Sequence, residues 1–371
     1  MGPYPHDAPP PAIDAQNPMG TDGFEFVEYA HPDPQELHRL FRAMGFSPVA
    51  KHRTRAITLY RQGDVNYLVN EEPGTHGHNF VAAHGPCAPS MAFRVVDARA
   101  AYERALALGA EPADPADGAK TLDVPAVKGI GGSLLYFVDR YGRKGSPYAA
   151  EFDWLGEPDP RPEGYGLYYL DHLTHNVRRG RMDVWAGFYE RIFNFRQIRY
   201  FDIEGKLTGL YSKALTSPDG KIRIPINEDA GDNGQIEEYL HAYNGEGIQH
   251  IACGCRDIYA TIEALRANGV AFMPSPPPVY YKRVDRRVPG HGEPLDRMER
   301  NGILIDGEGV VEGGYTKVLL QLFSANAIGP IFFEFIQRKG DEGFGEGNFK
   351  ALFESIEEDQ IRRGVLKEKA A

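Results

Sequence analysis

The sequence predicts an α+β protein with two tandem domains, each built from paired βαβββ modules that curl into an open, barrel-like sheet. An internal repeat is the first observation behind this prediction. A strand-like run ends at Asp97 and is followed by a helical pattern that ends at Gly109. The same pair of segments recurs 160 residues later, ending at Asp257 and Gly269. A constant offset across a strand, a helix and a terminal glycine is hard to obtain by chance.

The starts and ends of the two halves repeat in the same way. Each half opens with an extended run and then a helical pattern, beginning with Phe24–Ala30 in the first half and Asp171–Val177 in the second. Each half closes with short runs rich in β-branched and aromatic residues, which are typical of strands: 132–137 and 151–153, then 318–323 and 331–336. Four modules follow, and we expect a ligand in the concave face of one or both sheets.

Proline-rich segments divide the chain. Residues 1–20 contain six prolines and little apolar content, which predicts a disordered tail. Between Gly156 and Gly166, three prolines alternate with charged residues in the manner of a semi-rigid linker. We therefore expect an N-terminal domain over residues 21–156 and a C-terminal domain over residues 157–371.

Composition excludes several classes of partner. The formal charge of −11 opposes binding to nucleic acid and to anionic membranes. No run approaches the roughly 18 apolar residues of a membrane span, and no basic region precedes an apolar stretch at the N-terminus, so the cytoplasm is expected. Cys87, Cys253 and Cys255 are sparse and odd in number, and we interpret them as reduced packing residues.

Three potential metal ligands fall on three predicted strands of the second half. His172, His250 and Glu334 are separated by 78 and 84 residues, which is no local motif, and a lone strand histidine is usually a core residue. The repeat, however, places each of them on a strand of a module, and two histidines with one carboxylate are typical of non-haem iron sites with open positions. A glutamate among phenylalanines also needs a cation when it is buried.

The same positions in the first half lack both histidines. Alignment of the halves gives Glu25 for His172, Ser90 for His250 and Glu151 for Glu334. We therefore expect a non-catalytic N-terminal domain and one metal site per chain in the C-terminal domain. His175 is the nearest competitor of His172, but the two differ by an odd number of residues and point to opposite faces of an extended strand.

Four runs of the sequence resemble one known family. They are DHLTHNV from Asp171, IRIPINE from Ile222, GEGIQH from Gly245 and FFEFIQRKGDEGFGEG from Phe332. Together they resemble 4-hydroxyphenylpyruvate dioxygenase, a family with the vicinal oxygen chelate or glyoxalase-like fold, and the resemblance covers nearly all of the chain after residue 20. It also favours His172 over His175 as the ligand.

The resemblance implies an activity and its cofactor. It implies one Fe(II) per chain, held by His172, His250 and Glu334, to which the 2-oxo acid group of 4-hydroxyphenylpyruvate binds. With O2, that substrate is decarboxylated, its ring is hydroxylated and its side chain migrates, giving homogentisate and CO2 in tyrosine and phenylalanine catabolism. No 2-oxoglutarate is required. A homo-oligomer, either a dimer or a tetramer, is also expected.

The resemblance further implies pocket residues around the metal. The catalytic polar groups are Ser212, Asn227, Gln235 and Gln249, and the substrate-binding positions are Pro225, Gln321, Phe323, Phe332, Phe344, Asn348 and Phe349. Each polar group could instead make an ordinary strand-end hydrogen bond, and Gln249 is expected on the strand face opposite to His250. Gln321 lies among leucines, where a buried amide needs a partner, which favours a functional role.

A C-terminal helix follows these positions. One apolar face of this helix could be core or could lie as a lid over the concave face of the second sheet. It consists of Phe349, Leu352, Phe353 and Ile356. Asn348 is its expected N-cap, and Phe344-Gly345 with Gly347 would serve as hinges.

Three rival functions stay open on the sequence alone. A 4-hydroxymandelate synthase uses the same substrate and ligands but hydroxylates the side chain; in this family Pro225 and Phe349 favour attack on the ring, and this chain has both. An extradiol dioxygenase shares the fold and the ligand set. A non-enzymatic binding protein of the same fold would need no metal.

Overall fold

The computed structural model describes residues 9–204, 208–231, 234–310, 314, 316–345, 347–348, 360–361 and 363–364. The predicted C-terminal helix face therefore lies outside the described residues, Phe349 included. Of the predicted tail, residues 1–8 are also outside this part. Met19 is fully buried and Asn17 bonds to Thr21, so these two residues of the predicted tail are packed against the fold.

The first half of the chain forms one sheet with its covering helices. Its strands are β1 (Thr21–Ala30), β2 (Ser47–His52), β3 (Ile57–Gln62), β4 (Val65–Asn70), β5 (Cys87–Val95), β6 (Ala126–Lys128), β7 (Leu134–Val138) and β8 (Phe152–Trp154). Its α-helices are α1 (Pro34–Ala43), α2 (His76–His84) and α3 (Ala98–Ala107), and short 3-10 turns lie at Pro115–Asp117, Ile130–Gly132, Gly142–Lys144 and Pro147–Ala150.

The second half repeats this arrangement with longer strands at its edges. Its strands are β9 (Leu167–Asn176), β10 (Arg196–Glu204), β11 (Gly209–Thr216), β12 (Arg223–Asp229), β13 (Gly247–Cys255), β14 (Leu304–Val310), β15 (Thr316–Phe323) and β16 (Phe332–Lys339). Its helices are α4 (Met182–Phe193), α5 (Gln235–Tyr243), α6 (Ile258–Ala267), α7 (Pro278–Tyr281), α8 (Val284–Arg287) and α9 (Leu295–Asn301). No helix of the described ranges is long and apolar enough to cross a membrane.

The repeat predicted from the sequence has a local physical basis. Asp97 and Asp257 are the N-caps of α3 and α6, and each side chain accepts a backbone N–H of the first turn. Gly109 and Gly269 follow the ends of these helices with φ of 88° and 85°, a conformation that glycine adopts at little steric cost. The same start and stop signals therefore produce the same helix twice.

The sheet topology confirms four βαβββ modules. The strand order is β6-β7-β5-β1-β4-β3-β2-β8 in the first sheet and β10-β11-β12-β9-β13-β16-β15-β14 in the second. The central strands of the two orders match when one of them is read from its other end. The equivalent strands are then β1 and β9, β4 and β12, β5 and β13, and β7 and β16. In both sheets the two central strands are antiparallel to each other, and each of them pairs on its outer side with a parallel strand.

The strand register corrects two of the equivalences expected from the sequence. Ala252 lies beside both His172 and Glu334, and its counterpart in the first sheet, Ala92, lies beside Phe26 and Tyr136. Phe26 and Tyr136 are thus the counterparts of His172 and Glu334. The alignment of the two halves by sequence, which gave Glu25 and Glu151 instead, was wrong. Glu25 is an extra residue at a register shift of β1, and Glu151 precedes the edge strand β8, which pairs with β2.

The concave faces of the two sheets, called here the first cup and the second cup, differ in the side chains that fill them. In the first, a buried apolar cluster that includes Phe26, Ala92 and Tyr136 occupies the concave face, so the position of a metal triad is filled with packed side chains. In the second, the apolar cluster is small and consists of Leu304, Phe323 and Phe332 with partly buried neighbours. Among the described residues, the triad positions of the second cup are polar, whereas their counterparts in the first cup include the packed rings of Phe26 and Tyr136.

The backs of the two sheets share one apolar core. This cluster contains residues of both halves, and aromatic rings meet across the boundary, as in the pair Phe93 and Phe193 at 5.5 Å and the pair Tyr67 and Phe333 at 6.1 Å. The Tyr67 hydroxyl also lies 3.1 Å from the Cys253 sulfur. The segment between β8 and β9, where the domain boundary was predicted, contains neither helix nor strand.

Candidate metal centre

Three ligand atoms converge in the second cup. The Glu334 Oε2 atom lies 3.1 Å from His172 Nε2 and 3.3 Å from His250 Nε2, and the two Nε2 atoms are 3.3 Å apart. All three side chains are at least 96% buried. Adjacent strands supply them, because β13 pairs with β9 on one side and with β16 on the other.

The hydrogen bonds of the two imidazoles leave Nε2 free for a metal. His172 Nδ1 lies 2.8 Å from Asp171 Oδ1, and His250 Nδ1 lies 3.0 Å from Gln249 Oε1. Because these oxygens are acceptors, each Nδ1 carries the proton and each Nε2 presents a lone pair, the arrangement of metal-binding histidines. Two lone pairs and a carboxylate oxygen that face one another at these distances require a cation between them. The donor set therefore fits a divalent metal with open coordination positions.

Two β-bulges supply both of these imidazole partners. The pairing of β9 with β13 shifts register three times, and at two of these shifts the extra residue is Asp171 or Gln249. Each extra residue immediately precedes a histidine of the triad. A bulge re-aims the side chain that strict alternation would send to the opposite face. The expectation that Gln249 points away from His250 is therefore wrong.

Burial and mutual contact shape the charges of the triad. Burial alone would raise the pKa of Glu334, but the two imidazoles lower it to about 2. For His172, burial would lower the pKa, yet Glu334 and Asp171 raise it above its ordinary value. Burial lowers the pKa of His250, and Glu334 offsets only part of that effect. The carboxylate is thus ionised at neutral pH and available as a ligand.

His175, the competing histidine, is separate from the triad. Its Nδ1 lies 3.2 Å from the carbonyl oxygen of Leu173, and burial lowers its pKa to about 3. It pairs with Ile248 on the far side of the bulge. The ligand group found among the described residues consists of His172, His250 and Glu334.

A row of polar side chains crosses the sheet beside the triad. Ser212, Asn227, Asn176 and Gln249 stand on the neighbouring strands β11, β12, β9 and β13, and Asn227 Nδ2 lies 3.3 Å from Asn176 Oδ1 and 3.4 Å from Gln249 Oε1. Within the described ranges, Ser212 Oγ, Asn227 Oδ1 and Asn176 Nδ2 are buried and have no hydrogen-bond partner. Buried polar atoms are rarely left in this state, so the row has capacity for a polar ligand.

Aromatic rings and a cavity complete the site. The Phe332 ring stacks on the His250 ring at 4.9 Å, and the Phe344 ring meets the His172 ring edge to face at 5.4 Å. A cavity of about 580 Å³ is lined by Phe332, Gln249 and Gln235, and the Gln235 Nε2 atom has no partner in the described part of the chain. The cavity is the size of an ordinary small-molecule site.

Comparison with known proteins decides the family. The family model for the N-terminal domain of hydroxyphenylpyruvate dioxygenase matches residues 15–153, and that of the glyoxalase/bleomycin resistance protein/dioxygenase superfamily matches residues 169–288. A 4-hydroxyphenylpyruvate dioxygenase of Pseudomonas aeruginosa is 56% identical over 357 residues, covering 95% of this chain and 98% of that protein. The chain belongs to the 4-hydroxyphenylpyruvate dioxygenase family.

Two further relatives of this dioxygenase family carry other names. A Vibrio vulnificus protein named hemolysin VllY is 58% identical over 359 residues, covering 95% of this chain and 99% of that one. The solved structure of a triple mutant of 4-hydroxymandelate synthase from Streptomyces coelicolor superposes with a TM-score of 0.75 at 27% identity, covering 92% of this chain and 99% of that one. The identity to the Pseudomonas dioxygenase is about twice the identity to the synthase.

A chain of hydrogen bonds connects the triad carboxylate of this dioxygenase family member to the C-terminal segment. Glu334 Oε1 accepts a hydrogen bond from Gln321 Nε2 at 2.7 Å, and Gln321 Oε1 accepts one from Asn348 Nδ2 at 3.0 Å. Asn348 Oδ1 in turn accepts the Tyr280 hydroxyl at 2.9 Å. Asn348 is therefore not the predicted N-cap, because it already lies within a helical turn and both its side-chain atoms bond elsewhere.

Sequence reasoning missed the charged groups behind His172. Arg338 and Arg223 both bond to the Asp171 carboxylate, and the Tyr169 hydroxyl donates to Asp171 Oδ2 at 2.9 Å. Burial would raise the pKa of Asp171, but the two arginines hold it well below its ordinary value. One signal was available, since Arg338 lies four residues after Glu334 and thus on the same face of a strand.

The acid Asp229 supports the helix that carries Gln235, and its titration gives a first prediction. Its Oδ2 accepts the Glu237 backbone N–H at 2.6 Å, and burial raises its pKa from 3.8 to about 6. Because the pKa of Asp229 is higher in the folded chain than in the unfolded chain, protonation of Asp229 favours folding. This contribution to the free energy of unfolding is complete below pH 3.8 and is lost as the pH rises through about 6. We expect Asp229→Asn, which keeps an accepting oxygen, to stabilise the chain at pH 8 by up to about 3 kcal/mol and by little near pH 4. Urea unfolding at both pH values measures this, and an equal gain at both would contradict it.

Proposed function

We propose that this chain is an Fe(II)-dependent dioxygenase that converts 4-hydroxyphenylpyruvate and O2 to homogentisate and CO2, in tyrosine and phenylalanine catabolism. The observation that carries the proposal is the convergence of His172, His250 and Glu334 beside a row of buried polar atoms without partners among the described residues and a cavity lined by Gln249 and Phe332. The high identity to relatives named for this activity supports it over 95% of the chain.

Iron is the metal that this ligand set favours. Two neutral imidazoles and one carboxylate on one side of an ion form the facial triad of non-haem Fe(II) oxygenases, with the remaining positions open to substrate. When bound there, Fe(II) supplies the activation of O2 and a Lewis acid for the 2-oxo acid group. One carboxylate ligand leaves Fe(II) with a net charge of +1, so the site favours an anionic substrate although the whole chain carries −11.

The polar row has a proposed role in orienting the substrate. A 4-hydroxyphenyl group and a 2-oxo acid offer hydroxyl and carboxylate groups that Ser212, Asn227, Gln235 and Gln249 can bond, and the first three have unpartnered buried atoms among the described residues. Such bonds fix the ring relative to the triad, which is the orientation that the reaction needs. Gln249 also holds the His250 ring, so it links metal and substrate.

Aromatic and shaping residues have a proposed role as the wall. Phe323, Phe332 and Phe344 surround the triad, and a dry apolar wall shields a reactive centre from water. Pro225 lies two residues before Asn227 on β12, which places both on the same face. Gln321 and Asn348 are proposed to place the C-terminal segment, and Phe349 is proposed as a further wall residue that lies outside the described part.

The remaining proposals concern the setting of the enzyme. We place the catalytic site in residues 157–371 and assign a supporting role to residues 21–156. The cysteines Cys87, Cys253 and Cys255 are free and buried, which suits the reducing cytoplasm. Assembly as a homodimer or homotetramer is proposed from the family resemblance.

Product identification tests the proposed function. Metal-free chain reconstituted with Fe(II) is expected to consume O2 with 4-hydroxyphenylpyruvate, without 2-oxoglutarate, and to release homogentisate, separated by chromatography. Hydroxymandelate as the product would support the synthase reaction instead. Cleavage of a catechol in place of 4-hydroxyphenylpyruvate would support an extradiol enzyme, and no iron-dependent O2 uptake with either compound would favour a binding protein.

A further inference from the structure

Arg338 holds the carboxylate behind the first histidine of the triad with both arms of its guanidinium. Its Nε lies 2.7 Å from Asp171 Oδ2 and its Nη2 lies 2.8 Å from Asp171 Oδ1. Both side chains are at least 98% buried. A bidentate arginine–carboxylate pair of this kind fixes the carboxylate plane as well as its charge.

The orientation of Asp171 determines that of His172. Asp171 Oδ1 is the partner of His172 Nδ1 at 2.8 Å, so it selects the tautomer whose Nε2 faces Glu334. Asp171 is an extra residue at a register shift of β9, where the ladder does not hold it in place as it does a regular strand residue. Arg338 therefore supplies an anchor at a point where the sheet does not.

The same guanidinium also holds the loop after β16. Its Nη1 donates to the carbonyl oxygens of Asp341 at 3.1 Å and Gly343 at 2.6 Å. The next residue is Phe344, whose ring lies 5.9 Å from Arg338 Cζ and 5.4 Å from the His172 ring. One arginine thus contacts the anchor of a metal ligand and the loop that seats an aromatic ring on that ligand.

We propose that Arg338 is a positioning residue of the metal centre: its guanidinium fixes Asp171 behind His172 and, at the same time, fixes the loop 340–345 that seats Phe344 against the His172 ring. Metal binding and order of this loop are therefore coupled. The inference rests on the proposed function, because it takes the triad as a metal site. It adds a residue whose effect reaches the metal through Asp171 and not by contact.

The first half of the chain offers a matched control. Glu25 is the extra residue at the corresponding shift of β1, and Arg94 Nε donates to it at 2.5 Å while Arg94 Nη1 donates to Asp64 at 2.7 Å. The residue that follows Glu25 is Phe26, which is part of an apolar cluster. The same acid–arginine pairing at a bulge thus occurs once beside a metal ligand and once without one.

Conservative replacement of each arginine tests the proposal in the full-length chain. Lysine keeps the charge but cannot form the bidentate fork, so we compare Arg338→Lys with Arg94→Lys. Metal-free protein is titrated with Co(II), whose visible absorption reports the site, and hydrogen exchange of the 340–345 peptides is measured with and without Co(II). We expect Arg338→Lys to weaken Co(II) binding about 10- to 100-fold, as loss of outer ligand partners does elsewhere, and to abolish the slowing of exchange by Co(II). Arg94→Lys should retain both properties.

Each outcome bears on the proposal. Co(II) affinity of Arg338→Lys within about threefold of wild type, or an equal loss in Arg94→Lys, would overturn it. Should Arg338→Lys not fold by circular dichroism, Asp171→Asn replaces it and is expected to give the same two losses; a wild-type response in Asp171→Asn would overturn the proposal as well. A wild-type chain that binds no Co(II) would instead contradict the proposed metal site, and with it the inference.

Discussion

Replacing Glu334 by alanine is expected to reduce iron-dependent O2 uptake with 4-hydroxyphenylpyruvate to background. The substitution removes the only anionic ligand of the triad found in the described residues and leaves two neutral imidazoles. Loss of an outer partner of a ligand costs about 10- to 100-fold in metal affinity or activity, so loss of a ligand itself should cost more than about 100-fold. Oxygen-electrode rates and the bound iron per chain measure the effect.

The control for this substitution lies in the first half of the chain. Glu151 immediately precedes the edge strand β8, and its oxygens contact His52 and the Asp123 backbone N–H. Glu151→Ala should therefore keep its iron and most of its turnover. If the two variants lost activity equally, the conclusion that one cup holds the site would be wrong.

Replacing Phe26 by alanine is expected to have the largest effect on stability. Phe26 is fully buried in the filled first cup, and its ring packs against Tyr136 with centroids 5.5 Å apart. Truncation of a packed phenylalanine costs about 3–5 kcal/mol because it removes buried apolar surface and leaves a cavity. Urea unfolding measures the loss, and the folded variant should still bind one metal per chain.

An exposed apolar residue serves as the comparison. Val184 on α4 is 49% exposed, so Val184→Ala should change the free energy of unfolding by less than about 0.5 kcal/mol. A similarly small change for Phe26→Ala would mean that the first cup is not a packed core. Loss of metal binding by folded Phe26→Ala would contradict the separation of the two cups.

The modules and the triad could be predicted because they depend on patterns that survive in one sequence. The aspartate caps and terminal glycines of α3 and α6 recur at a fixed offset, and that offset links His250 to Ser90. Strand patterns then place His172, His250 and Glu334 on corresponding elements. Each step uses local signals, and the structure brings the three side chains within 4.8 Å.

The details that were missed depend on register. Strict alternation sends Gln249 to the wrong face, because a bulge adds one residue that no propensity announces. Matching Glu25 to His172 was one residue out of register, since Glu25 is the counterpart of Asp171, the extra residue at the same bulge of β9. The sequence places Arg338 on the same strand face as Glu334, but it does not indicate that Arg338 contacts Asp171, which lies 167 positions away. The role of Asn348 depends on its hydrogen bond to Gln321, which lies on the distant strand β15.

The common core behind the two sheets has a consequence for folding. Among the described residues the largest apolar cluster is shared by the two halves, and the rings of Phe93 and Tyr67 contact those of Phe193 and Phe333 in the other half. The two halves should therefore melt in a single cooperative transition, and a lesion in the cup without a metal would lower the population of active enzyme. The half without the triad therefore contributes to the stability of the half that carries it.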